Sequence, residues 1–262
     1  MKEEPDTMEL ERWVCEGVMH YQGGQRPQNY DEAVKWFRKA AEYKYARAQN
    51  ILGVCCECGN GVEKNCVEAV KLYRMAAEQG FTPALYNLGH CYYFGLGSEQ
   101  DYAEAVKWFR RAAQHRHARA QNMLGVCYER GNGVEKNCVE AVKWYRMAAQ
   151  DGDGYAQHNL GECYEYGRGV EKNCVEAMVW YGKAAKQENW RKEAEEGDRA
   201  AQYCLGYYYL RGVGVVKSLT EAYKWFRLSS EQGEKSAAEQ LLSVEALLSP
   251  EELRKCRRLG HP

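Results

Sequence analysis

The twelve residues GNGVEKNCVEAV stand at 59–70 and again, unchanged, at 131–142, and a variant, GRGVEKNCVEAM, stands at 167–178. These copies belong to a wider period. Gly17, Gly53, Gly89, Gly125 and Gly161 are each 36 residues apart, and Gly206 follows after 45. Leu52, Leu88, Leu124, Leu160 and Leu205 directly precede their glycines, and Ala48, Ala84, Ala120, Ala156 and Ala201 stand five residues before them. Self-similarity at this length is the mark of a repeat array, in which each unit buries its apolar face only against its neighbours.

The repeated turn has a local meaning. Six residues after each anchor comes a second glycine, from Gly23 to Gly212, suited to a helix end because glycine takes positive φ at little cost. A polar residue follows at a constant distance: Asn29, Asn65, Asp101, Asn137, Asn173 and Ser218. Three residues later there is always a glutamate: Glu32, Glu68, Glu104, Glu140, Glu176 and Glu221. This is a capping-box spacing, in which the polar side chain accepts from a helix-start amide and the glutamate reaches back to the cap amide. The helix after it carries one apolar stripe, as in Ala141, Trp144, Tyr145, Ala148 and Ala149. Trp36, Trp108, Trp144, Trp180 and Trp225 share a position on that stripe, with Leu72 in the second unit, and are expected to fill the gap between helix layers. Each unit therefore reads as helix A, a glycine-rich turn, then helix B.

A longer period is nested in this one. NYDEAVKWFRKAA at 29–41 resembles DYAEAVKWFRRAA at 101–113, and ARAQN at 46–50 recurs at 118–122, an offset of 72 that points to internal duplication of a two-unit block. The expected organisation is one repeat domain over 1–262, with six units in 7–233, a helical C-terminal cap over 234–258 and an insertion around 186–198. Ser249, Pro250 and Glu252 predict a short capped final helix. The insertion reads either as a helix B longer by over two turns or as a surface excursion, and Trp190 within it either packs back on the array or marks a partner contact.

The unit, shown most fully by AQNMLGVCYERGNGVEKNCVEAVKWYRMAA at 120–149, resembles the Sel1-like repeat, a relative of the tetratricopeptide repeat, over roughly residues 12–245. The resemblance implies an all-α fold, a right-handed α/α superhelical solenoid with a concave surface. It also implies an adaptor or scaffold role in protein–protein interaction. His20 and Cys56 replace the usual tyrosine, and Gln25 and Ser98 fall where a glycine or valine is usual, so the end units are expected to be less regular.

Composition limits the other function classes. With 36 basic and 37 acidic side chains, nothing supports a broad nucleic-acid footprint or a polybasic membrane surface. MKEEPDTMEL at the start lacks the apolar core of a secretory signal, and no run of 18 apolar residues predicts a membrane span, so a cytoplasmic location is expected. Cys55, Cys91, Cys127 and Cys163 share one helix-A position, and Cys66, Cys138 and Cys174 one position at the start of helix B. Both sets read as small thiols in a tight interface, with disulfides the alternative. No zinc motif completes the Cys55, Cys56, Cys58 group. GVGVVKS at 212–218 has Val216 where a phosphate loop needs glycine, and is the sixth copy of the inter-helix turn. No metal, organic cofactor or catalytic residue is expected.

The function implied is a non-catalytic scaffold that holds a protein or peptide on its concave face. Candidate contact residues are Asn50, Tyr86, Asn122, His158 and Tyr203, each three residues before its anchor glycine, where the repeat varies; packing or capping is the competing role. His115, Arg116, His117 and Arg119 form a basic group that reads as solvated surface or as a site for an acidic segment. One alternative is an assembly spacer acting through self-association. Another is an enzyme, such as a hydrolase of cell-wall material, which would need a convergent pocket with a nucleophile or paired carboxylates.

Overall fold

The computed structural model describes residues 5–24, 27–186 and 188–258, excluding the side chains of 188–190 and 258. Gln25 and the Trp190 side chain therefore lie outside the described residues. Among the described residues the chain is helical, without strands, and it divides into two compact units, Met1–Asn137 and Cys138–Pro262. The first holds α1 (Thr7–Gln22), α2 (Tyr30–Glu42), α3 (Ala46–Cys58), α4 (Cys66–Glu78), α5 (Thr82–Phe94), α6 (Tyr102–Gln114) and α7 (Ala118–Arg130). The second holds α8 (Cys138–Gln150), α9 (Gly154–Tyr166), α10 (Cys174–Ala185), α11 (Glu188–Glu195), α12 (Arg199–Arg211), α13 (Leu219–Glu231), α14 (Lys235–Leu247) and α15 (Pro250–Arg258). By repeat phase, α1, α3, α5, α7, α9 and α12 are the A helices, and α2, α4, α6, α8, α10 and α13 the B helices. Helix-turn-helix repeats of this kind make the fold an all-α solenoid class.

Each B helix starts where the polar residue was expected, but the capping box is only half made. The Asn65 side chain accepts from the Glu68 amide at 3.0 Å, and Asn29 and Asp101 do the same for Glu32 and Glu104. The glutamates do not reach back. The cap amides instead donate to a carbonyl of the preceding A helix, Asn65 to Cys56 at 2.8 Å and Asn29 to His20 at 2.8 Å. That bond closes the turn, and the glutamates are left to pair with lysine one turn on, as Glu32 does with Lys35 at 2.8 Å. The full box forms at α15, where Ser249 N–H donates to Glu252 at 2.9 Å and the Glu252 amide donates to Ser249 Oγ at 3.3 Å.

The two glycines of the turn do different things. Gly59 ends α3 in the left-handed region at φ 82°. Gly61 is set by a neighbour: a Cβ there would stand 2.3 Å from the Tyr30 carbonyl oxygen, at the start of the previous repeat's helix B. Gly97 meets Cys66 O in the same way at 2.1 Å. The turn of one repeat thus seats on the helix B start of the one before, and only glycine fits.

In the first, second, third, fifth and sixth repeats the core is a glycine facing an aromatic ring. A Cβ at anchor Gly53 would lie 2.6 Å from the Tyr73 ring, and Gly17 and Gly89 meet Phe37 and Phe109 at 2.4 and 2.8 Å. In the second unit Gly161 meets Tyr181 and Gly206 meets Phe226, both at 2.6 Å. These rings are almost fully buried. The layer filler is therefore the residue after the tryptophan position. Trp108, Trp225 and Leu72 are buried, but Trp36, Trp144 and Trp180 are half-exposed. Burial of one such ring contributes roughly 1.5–3 kcal/mol. Cys55, Cys91, Cys127 and Cys163 are buried as expected of small thiols, whereas Cys66 and Cys138 are half-buried and Cys174 is exposed. The second set sits at the first residue of helix B, on its solvent side, and so is not an interface filler.

The inserted residues make neither a longer helix B nor a free excursion. Helix α10 ends at Ala185, and α11 follows as a separate short helix. Arg191 of α11 donates to the Tyr209 hydroxyl at 3.0 Å, eighteen residues on. Arg110 makes the same bond to Tyr128 at 2.8 Å and Arg146 to Tyr164 at 3.0 Å, also eighteen residues on. Gln202 donates to Ala194 O at 3.0 Å, as Gln157 does to Ala149 O at 3.1 Å. The end of helix B is therefore written twice, and the second copy docks the next repeat.

Candidate protein-binding surface

The five positions before the anchor glycines do not share one environment. In the first unit Asn50 is buried and accepts from Asn87 Nδ2 at 3.0 Å, and Asn122 is buried to the same degree. Tyr86 is half-buried and reaches the surface. In the second unit His158 is buried, and Tyr203 is half-buried with its ring 5.8 Å from Phe226. Three of the five thus lie within helix packing, because this position faces partly toward the neighbouring A helix.

Around Tyr86 the structure gathers a surface cluster. The Tyr86 ring stacks on His117, with centroids 4.9 Å apart and planes at 23°. His90, one turn along α5, lies 6.0 Å from Tyr86, and Phe94, one turn further, lies 4.6 Å from His90. Phe94 leaves 49% of its surface in solvent. Exposed Arg116 and Arg119 flank the cluster, and the Arg119 charge acts on both His90 and His117. Burial is the main force lowering both imidazole pKa values below 6.5, so both rings are neutral at pH 7. The basic segment and Tyr86 were visible separately in the sequence. His90 and Phe94 carry no signal in the sequence beyond their spacing, which puts Tyr86, His90 and Phe94 every four residues on one helical face.

His158 is built into the interior of the second unit. Its Nδ1 lies 3.1 Å from the Tyr208 hydroxyl, and its Nε2 lies 3.9 Å from Glu162. Glu165 accepts from the Tyr181 and Tyr207 hydroxyls, each at 2.8 Å, and Glu162 takes Arg168 at 2.8 Å. Burial lowers the His158 pKa against the opposing pull of Glu162 and Glu165. Tyrosines here satisfy carboxylates, and their own pKa values rise through burial and through those neighbours. The network fastens α9, α10 and α12 together and leaves the imidazole no open approach.

Among the described residues no group of three or more His, Cys, Asp and Glu side chains is placed to hold a metal ion. Among the described residues, no helix is long and apolar enough to cross a membrane.

Six segments, residues 15–42, 46–81, 82–117, 118–153, 154–189 and 199–234, match the Sel1 repeat model. The chain belongs to the Sel1 repeat family. Among solved structures, this Sel1-repeat chain is 35% identical to a Sel1 repeat protein from Oxalobacter formigenes, covering 84% of each chain with a TM-score of 0.69. It is 31% identical to a protective antigen of uropathogenic Escherichia coli with an SLR fold, at a TM-score of 0.64. The match covers 97% of this chain but 62% of the length of that antigen. A Pseudomonas aeruginosa immunity protein, 19% identical over 87% of this chain and 83% of its own with a TM-score of 0.53, shares the fold alone. No curated protein matches the chain.

Proposed function

We propose that this Sel1-repeat chain is a non-catalytic scaffold that binds a protein or peptide, and that the aromatic row on α5 is a principal contact. The observation that carries this reading is the stack of Tyr86 on His117, continued by His90 and half-exposed Phe94 beside Arg116 and Arg119. Aromatic rings held by packing offer large contact area at low entropic cost, and arginines beside them favour a partner with acidic residues next to an apolar anchor. Membership of the Sel1 repeat family adds support, since stacked helical repeats present an extended surface suited to holding a protein or peptide. The buried setting of His158 argues against using it as a general base. A reducing cytoplasmic setting suits buried thiols such as Cys55, Cys91 and Cys127.

A library of acidic and aromatic-containing peptides, titrated against the full chain by fluorescence anisotropy, tests the proposal. F94A is expected to weaken the best binder by about thirtyfold, the size of a hot-spot loss near 2 kcal/mol. R119E is expected to weaken it further and to flatten its salt dependence. Unchanged helicity by circular dichroism assures the fold. A peptide that binds F94A and R119E as tightly as the parent would remove this surface from consideration.

A further inference from the structure

Helix α10 breaks the pattern of the other B helices on its outer face. Where they carry Lys35, Lys71, Lys107, Lys143 and Lys224, α10 has Val179. Where they carry Arg38, Arg74, Arg110, Arg146 and Arg227, it has Gly182, and its arginine role has passed to Arg191 of α11. Val70, Val106 and Val142 are buried one residue before the lysine, but the equivalent Met178 is 49% exposed. Val179 is 47% exposed and Val175 74%. Val175, Met178 and Val179 lie on one face of the helix, by their offsets of three and four. Nothing stands within 4 Å of where a Cβ at Gly182 would point, so no side chain shades this face from there.

The charges on α10 are self-complementary. In the other helices the lysine pairs with the glutamate one turn earlier, as Lys107 does with Glu104 at 2.7 Å. The substitution of Val179 leaves Glu176 without that lysine. Exposed Lys183 lies seven residues, two turns, further along the same flank, its ammonium 3.9 Å from the Trp180 ring centroid. Reversing the helix about a point between Val179 and Trp180 exchanges positions 176 and 183.

We propose that α10 is a homodimer interface, packing antiparallel against α10 of a second copy of this chain about a twofold axis. Val179 forms the centre of the contact, with Val175 beside it and Met178 at its rim. Glu176 faces Lys183 of the partner subunit, and Lys183 faces Glu176 of the partner subunit. An isologous contact requires a surface complementary to itself, and reversal of this helix meets that requirement in charge, with exposed Val179 beside the axis. The lysine and arginine of the other B helices keep their faces wet, which is how solvent-exposed helices avoid such pairing.

Sedimentation velocity of the full chain over a wide concentration range tests the dimer. A concentration-dependent dimer is expected. V179K restores the residue that five sibling helices tolerate, and is expected to weaken association at least ~10-fold, because two like charges would meet at the axis. V67K, at an exposed valine of α4, is expected to leave association unchanged. E176K and K183E are each expected to weaken the dimer, and E176K/K183E to recover it, a rescue that damage to folding cannot produce. A monomer at all concentrations, a dimer indifferent to V179K, or a double variant no better than the singles would each overturn the proposal.

Discussion

Three positions per repeat change together, and their chemistry explains why. In the second repeat Glu57, Cys66 and Tyr73 occur, and the Tyr73 hydroxyl donates to Glu57 at 2.6 Å. In the first repeat the same positions are Tyr21, Tyr30 and Phe37, and the third repeat has Tyr93, Tyr102 and Phe109. There the two tyrosines meet edge to face, with centroids at 4.9 and 5.0 Å. The buried ring opposite them is phenylalanine, since no carboxylate is present to receive a hydroxyl. The next turn completes the set: Asn60 Nδ2 donates to the Tyr21 hydroxyl at 2.7 Å, and Asn132 Nδ2 to that of Tyr93 at 2.9 Å. Over the first three repeats the two packing solutions thus alternate, and the fifth repeat carries the carboxylate solution again, with the Tyr181 hydroxyl donating to Glu165 at 2.8 Å. Cys66 belongs to the solution with a carboxylate, where a small residue replaces Tyr30. Y73F should leave the Glu57 carboxylate short of a donor and cost about 1–3 kcal/mol. The drop would be read as a lower urea midpoint at unchanged slope. Transplanting the neighbouring solution, E57Y/C66Y/Y73F, should recover most of that loss. A triple variant less stable than Y73F would show that the sets are not interchangeable.

At the level of helices, the number and order of A and B elements were legible because the glycines and caps are local signals. The core partner was less so. Tryptophan stands out by size, but the anchor glycine selects the adjacent ring, as the approach of Gly53 to Tyr73 shows. That pairing joins residues twenty apart and has no periodic signature of its own. The insertion was located only approximately for a related reason: its end imitates helix B. Counting back from Gly206, Arg191 and Ala194 fall in the phase of Arg146 and Ala149, which places the break after Tyr181 and the nine additional residues at 182–190. Deleting 182–190 joins Tyr181 to Arg191, matching the junction of Tyr145 and Arg146. The shortened chain should therefore fold with undiminished helicity per residue and one cooperative thermal transition. Circular dichroism checks this, and loss of the transition would mean that the doubled helix end has become indispensable.

Across the whole chain, the family and fold class were readable from the repeats, whereas the candidate surface depends on residues that do not repeat. Asn50, Asn122 and His158 stand where the repeat varies, yet a variable position can face a neighbouring helix as readily as solvent. Tyr86 and His117 meet because two loops and a helix bring together residues 31 apart in sequence, which spacing alone does not reveal. The same burial has a consequence for the stability of both units. His90 and His117 in the first and His158 in the second all have pKa values lowered from 6.5, with burial the largest cause. The native chain then binds fewer protons than the unfolded chain at pH values just below 6.5, so stability rises with pH across that window. The contribution is complete above 6.5 and is lost as the pH falls toward the depressed native values. Carboxylates act in a separate range: the Glu32 pKa is lowered from 4.5 chiefly by its hydrogen bond to Lys35, so its effect fades only as the pH falls below 4.5. Urea midpoints measured from pH 7.5 down to pH 5 should therefore decline before the carboxylates titrate. H158Q should retain a hydrogen-bond partner for Tyr208 while removing the titrating ring, and so should reduce the decline; a parent midpoint that stayed level down to pH 5 would show that these imidazoles take up protons without opposing the fold.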